Sequence, residues 1–144
     1  MARASQHVIR GLRFPTPATS SVFVATIVLA IIVGGGFITF GGAKLANAPM
    51  MTEARQHLGL EPGLFKAVGA LEVLGGIGVL VGLADPLPVI GALAAVGLIG
   101  MTIGGVYYHQ RAGDPIKDWL PAVVMGSIAI FYIILRVGSA LSSG

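Results

Sequence analysis

Apolar residues run through this chain in four long blocks, from about Ser21 to Leu45, Leu64 to Leu83, Leu87 to Tyr108 and Trp119 to Val137. Each is close to the roughly 20 residues that a helix needs to cross a bilayer. Backbone polar groups inside a bilayer must be paired within the segment, so the blocks are expected to be helices rather than strands. The connections are too short to hold another domain. Residues 21–144 therefore read as one membrane domain behind an N-terminal cytoplasmic tail, 1–20. The expected fold class is all-α, a four-helix transmembrane bundle with a short amphipathic helix between spans one and two.

That short helix is expected over Pro49 to Leu60. Met50, Met51, Ala54 and Leu58 recur at helical spacing opposite Glu53, Arg55 and Gln56, a pattern suited to lying in the headgroup region as a lid or float. Local signals mark the other boundaries. Asp85-Pro86 reads as an N-cap followed by proline at the first helical position, and Glu61-Pro62 starts the second span. Gly113 stops the helix after His109, and Asp114-Pro115 restarts the chain as a cap followed by proline. Pro121 is expected in the first turn of the fourth span. Gly34-Gly35-Gly36 weakens the first span midway and would permit a bend. The pairs Gly78/Gly82 and Gly100/Gly104 have the small-xxx-small spacing that lets helices approach closely.

Composition narrows the class. Of 144 residues, 55% are hydrophobic and 10% charged, with a mean hydropathy of +0.89. Soluble domains carry about 25% charged residues, so this is an integral membrane protein in contact with lipid. The formal charge of +3 comes from nine basic residues scattered along the chain. With no basic run, nucleic-acid binding is not expected. There is no cysteine, which excludes disulfides, thiolate zinc sites and cysteine-held iron–sulfur clusters. No metal site and no covalent cofactor are expected. Of His7, His57 and His109, only His109 lies near a span, which argues against a bis-histidine haem.

Arg3, Arg10 and Arg13 ahead of an apolar run resemble a secretory signal, and Ala46-Asn47-Ala48 resembles a cleavage site. The apolar block is longer than the 7–15 residues of a signal core and ends in Lys44, so it reads as an uncleaved first span. With the charges ahead of the first helix dominating topology, both termini are expected in the cytoplasm.

Glu72 is the most informative single residue, a carboxylate inside the second span. Placing a charge at the centre of a spanning helix costs roughly 2.5–3.5 kcal/mol on insertion scales, so such a residue faces the bundle interior and finds a partner there. An up-down topology brings Lys44, Glu72, Tyr108, His109, Arg111 and Asp114 to one end of the bundle, where they are the candidate pocket or buried polar network. Lys44 and Glu72 are the natural ion pair. Three interpretations stand side by side: a satisfied salt bridge fixing helix register, a pocket for a quinone headgroup, small anion or proton relay, and an interface with another membrane subunit.

Three stretches, GGGFITFGGAKL from Gly34 to Leu45, LGLEPGLFKAVGALEVLGG from Leu58 to Gly76 and GGVYYHQRAGD from Gly104 to Asp114, resemble the DoxX and DoxX-like membrane family. The resemblance covers nearly all of the chain after residue 20. It implies a four-helix protein of the bacterial cell membrane, with Lys44, Glu72, His109, Arg111 and Asp114 as the positions carried over. Some relatives are linked to thiosulfate:quinone oxidoreduction, others to membrane redox complexes, and distant eukaryotic ones to assembly of membrane proteins. The expectation for this chain is a subunit or accessory of a quinone- or sulfur-linked membrane redox complex, with quinone as a candidate cofactor. Other membrane subunits or a homo-oligomer are the expected partners. The alternative is a non-catalytic scaffold or assembly factor, and whether the chain is itself an enzyme stays open.

Overall fold

The computed structural model describes residues 17–84 and 87–143. Among them are five helices and no strand: α1 (Pro17–Leu45), α2 (Pro49–His57), α3 (Pro62–Val81), α4 (Pro88–Ala112) and α5 (Ile116–Ser143). The four long ones are apolar enough to cross a membrane, and α2 is the short helix between spans one and two. The expected Asp85-Pro86 start lies outside the described residues. Helix α4 begins at Pro88 with Leu87 in the N-cap position, one proline later than the sequence suggests.

Local chemistry sets the ends. The Glu61 carboxylate accepts the Leu64 N–H at 2.8 Å and Pro62 follows it, which starts α3. Both α2 and α4 stop at a left-handed glycine, Gly59 (φ 64°) and Gly113 (φ 80°). In each case the next residue's N–H turns back to a carbonyl in the last helical turn, Leu60 to Arg55 and Asp114 to His109, both at 3.0 Å. This is the Schellman ending, for which glycine supplies the positive φ. Between α1 and α2 the chain reverses through Asn47 (φ 52°), a residue type that tolerates this conformation.

One sequence expectation shifts. Pro121 lies inside α5, past its first turn, because that helix already begins at Ile116. The triple glycine of α1 lies within a continuous helix, where Gly34 packs on Leu80 and Gly76 while Gly36 packs on Met125.

The spans close into a ring in the order α1, α3, α4, α5, with the most extensive contacts between α1 and α3 and between α4 and α5. Glycine controls the α1–α3 contact. A Cβ on Gly34 would lie 2.9 Å from the Gly76 carbonyl oxygen, and one on Gly76 would lie 2.6 Å from that of Gly34. Seven residues along each helix, Gly41 and Gly69 repeat the arrangement at 2.5 and 2.9 Å. Facing positions at seven-residue spacing are the signature of helices crossing at a shallow angle, here with backbones rather than side chains in contact. Of the pairs singled out in the sequence, Gly78 meets Ala94 and Gly82 meets Gly91, whereas a Cβ on Gly100 or Gly104 would touch nothing within 4 Å.

The core of Ala30, Val33, Phe37, Val79, Ala95, Leu98, Ala129 and Tyr132 fills the bundle away from Glu72. Many large apolar side chains, Phe23, Leu74, Leu93 and Phe131 among them, point outward, as expected where the surrounding medium is lipid. In α2, Met51 is buried and Met50 exposed, so the inward face runs through Met51, Ala54 and Leu58 without Met50.

Candidate functional site

Lys44 closes the last turn of α1, and Glu72 sits midway along α3. The Gly41–Gly69 contact brings the two backbones together here: a Cβ on Gly41 would come within 2.9 Å of Glu72 Cβ, and one on Gly69 within 2.9 Å of Lys44 Cβ. The result is an ion pair in which Lys44 Nζ donates to Glu72 Oε1 at 2.5 Å. The Glu72 side chain is 8% exposed and that of Lys44 17%. The ammonium also stands 5.6 Å from the centre of the Phe65 ring, within reach of a cation–π attraction. The second carboxylate oxygen, Oε2, is buried and accepts no hydrogen bond from the described residues. Buried polar atoms without a partner are rare enough that each calls for a reason.

A second polar cluster lies at the same end of the bundle. The Schellman ending of α4 returns Asp114 to the last helical turn, and its side chain follows its backbone. His109 Nδ1 lies 2.7 Å from Asp114 Oδ2. The other oxygen, Oδ1, lies 2.6 Å from His57 Nε2 at the end of α2. An ionised carboxylate only accepts, so both imidazoles donate, His57 through Nε2 and His109 through Nδ1. Hydrogen bonds from His57 and then His109 hold the Asp114 carboxyl below its ordinary range, against the opposing effect of burial. Asp114 thus binds two imidazoles and does not cap α5, as its place before Pro115 had suggested.

Of the six candidate residues, the structure joins Lys44 to Glu72 and His109 to Asp114. Tyr108 is half-buried and meets Tyr107 edge-on, with ring centres 5.5 Å apart. Arg111 departs from the expected buried network: it is exposed. Two residues along a helix turn a side chain by about 200°, so with His109 directed at Asp114, Arg111 faces the other way. His57 was passed over in the sequence because it lies outside the spans. The signal that would have found it is its place at the end of an amphipathic helix that folds back over the bundle. Among the described residues, no hydrogen bond or ion pair links the Lys44–Glu72 pair to the His57–Asp114–His109 cluster, and no group of three His, Asp or Glu side chains has metal-binding geometry. Two surface grooves lie elsewhere, one along the start of α1 and one between α3 and α4, where Leu74, Gly78, Leu93 and Gly97 line it.

The model of the DoxX-like family matches residues 24–132. The chain belongs to the DoxX-like family. The match takes in Lys44, His57, Glu72, His109 and Asp114, together with most of all four spans. No curated protein and no solved structure matches the chain significantly.

Proposed function

We propose that this DoxX-like protein serves as a membrane-embedded subunit or accessory of a redox complex and holds a small polar headgroup at Glu72. The observation that carries this reading is the Glu72 carboxylate itself, with one oxygen on Lys44 and the other buried with no partner among the described residues. A free carboxylate oxygen accepts a hydrogen bond from a hydroxyl and repels an anion. The Lys44 charge is already matched by Glu72, so nothing at the pair offsets the charge of a sulfur oxyanion. A quinone carrier in its hydroxyl form fits the donor and acceptor pattern, with Glu72 accepting and Lys44, which has two further N–H groups, donating. When bound, such a carrier would supply the redox chemistry; Glu72 would accept the hydrogen bond of its hydroxyl and Lys44 would donate one to its other polar atoms. With no cysteine in the chain, electrons would pass between the carrier and a partner subunit. With both termini cytoplasmic, this end of the bundle faces away from the cytoplasm.

The test is quinone reduction in membranes carrying Glu72→Gln, which keeps the shape and removes the proton acceptor. Good expression with lost redox activity is expected. Unchanged activity in well-expressed Glu72→Gln membranes would overturn the reading. One observation favours the scaffold alternative: Gly97, Gly100 and Gly104 lie along α4 with open space where their side chains would be, a face on which a partner helix would seat closely.

A further inference from the structure

We propose that α2 is a releasable strap across the polar end of the bundle, latched shut by the hydrogen bond from His57 to Asp114. The proposal rests on the geometry of this latch and not on which ligand, if any, meets Glu72.

The two ends of the bundle are tied differently. At the far end, Tyr132 Oη donates to the Val79 carbonyl at 3.1 Å and Arg136 Nε to the Gly82 carbonyl at 2.9 Å. Those acceptors lie in the last turn of α3 and just after it, where helix carbonyls lack intrahelical partners. Along α1 and α3, the paired glycines and the Lys44–Glu72 bond fix the register. All these contacts are buried or partly buried and join spans directly.

Helix α2 is held more lightly. Of its nine residues only Met51 is buried. Its side-chain bonds are mostly local: Thr52 Oγ1 donates to the Asn47 carbonyl at 3.3 Å and Arg55 Nη1 to that of Leu60 at 3.1 Å. Among the described residues, His57 to Asp114 is the one hydrogen bond that ties α2 to anything beyond its own flanking turns. A nine-residue helix spans about 13 Å, and this one starts from the end of α1 and finishes at the α4–α5 linker. It therefore crosses the end of the bundle that contains Lys44 and Glu72.

The latch has a fixed half and a releasable half. Asp114 is tied to α4 twice, by its backbone N–H to the His109 carbonyl and by its carboxylate to His109 Nδ1. When His57 leaves, Asp114 keeps one imidazole, so no buried charge is stranded. The His57 side chain is 58% exposed, against 9% for Asp114, so water takes up its lost bond at once. Opening thus gives up one hydrogen bond whose His57 side is open to water, the burial of Met51 and the partial burial of Ala54 and Leu58. The span contacts stay intact.

The absence of cysteine makes the test direct. A single thiol at Met51→Cys reports opening through its rate of modification by a small maleimide in purified, detergent-solubilised protein. We expect slow labelling in the otherwise unaltered chain and labelling at least tenfold faster with His57→Ala or Asp114→Asn added. A thiol at the exposed Gln56 should react equally fast in all three backgrounds. Hydrogen exchange supplies the second measurement: His57→Ala should lose amide protection within residues 51–57 while α3 and α5 keep theirs. An unchanged Met51→Cys rate in His57→Ala would overturn the proposal. So would exchange that spreads into the spans, because the cluster would then hold the bundle together rather than hold down a strap.

Discussion

Gly41 lies against Gly69 so closely that neither position has room for a Cβ, and that contact sets Lys44 beside Glu72. Side chains larger than hydrogen at either position would push α1 from α3 and pull the ion pair apart with them. We expect Gly41→Leu and Gly69→Leu to abolish a stable monodisperse bundle in detergent. Gly100→Leu and Gly104→Leu should leave it intact, because their Cβ atoms meet open space. Size-exclusion profiles of the four variants check this. Loss of function in a well-folded Gly100→Leu would point to partner docking on α4.

Breaking a buried pair by removing one partner typically costs about 3–5 kcal/mol, because the other charge is left uncompensated. Lys44→Met strands the Glu72 carboxylate and should lower unfolding free energy by an amount in that range, toward the low end because Lys44 is partly exposed. The double variant Lys44→Met with Glu72→Gln removes the stranded charge and should recover part of the loss. Unfolding by denaturing detergent measures both, and a double variant no better than the single would show that the two residues are uncoupled.

The Lys44–Glu72 pairing was legible because few opposite charges reach that depth on adjacent spans, and lipid leaves a carboxylate little choice but the interior. The ends of α3 and α4 were legible for a similar reason: Glu61-Pro62 and Gly113 each do one thing that few other residues do. The glycine seam was not. With 22 glycines in the chain, spacing alone could not choose Gly34, Gly41, Gly69 and Gly76 over Gly100 and Gly104, since the choice depends on which helix faces become neighbours. His57 was hidden because its partner is delivered by a loop path, the backbone reversal at Gly113. Arg111 was misplaced because nearness in sequence was taken for nearness in space, which helical rotation undoes within two residues.

The Asp114 latch gives a pH signature whose direction is fixed. Its carboxyl in the folded protein is held below the ordinary aspartate value of about 3.9 by the two imidazoles. A depressed folded-state value means the contribution is fully present above the ordinary value and is lost as pH falls through the lower one. Protection of α2 amides, corrected for intrinsic exchange rates, should hold from neutral pH down to about 4 and fall only in stronger acid. In Asp114→Asn the same amides should be poorly protected throughout. A loss of protection in the wild type centred well above pH 4 would assign the transition to another group.

Tyr132 tests the far end. Its ring is fully buried and its hydroxyl bonds the Val79 carbonyl. That carbonyl is free because the Leu83 N–H turns to Leu80 at 3.1 Å. Tyr132→Phe keeps the ring and removes the donor, so we expect a loss of about 1 kcal/mol, the net worth of a typical intramolecular hydrogen bond. Tyr132→Ala also removes a large core side chain and should cost about 3–5 kcal/mol. Similar losses in the two variants would assign the stabilisation to the hydrogen bond rather than the ring.

Orientation decides which compartment meets the strap. Arg3, Arg10 and Arg13 precede the first span, and an even number of spans puts both termini on one side. With Arg136 that side carries four basic residues, against Lys44, Arg55, Lys66, Arg111 and Lys117 on the other, so the expected orientation rests on the charges ahead of the first helix. We expect a single cysteine at Gln56, on the exposed side of α2, to react with a membrane-impermeant maleimide in intact cells. One at Ser5 should react only after the cells are opened. The reverse pattern would turn the molecule over and place His57, Asp114 and the Lys44–Glu72 pair on the cytoplasmic side, where a redox partner would have to be a cytoplasmic or inner-leaflet protein.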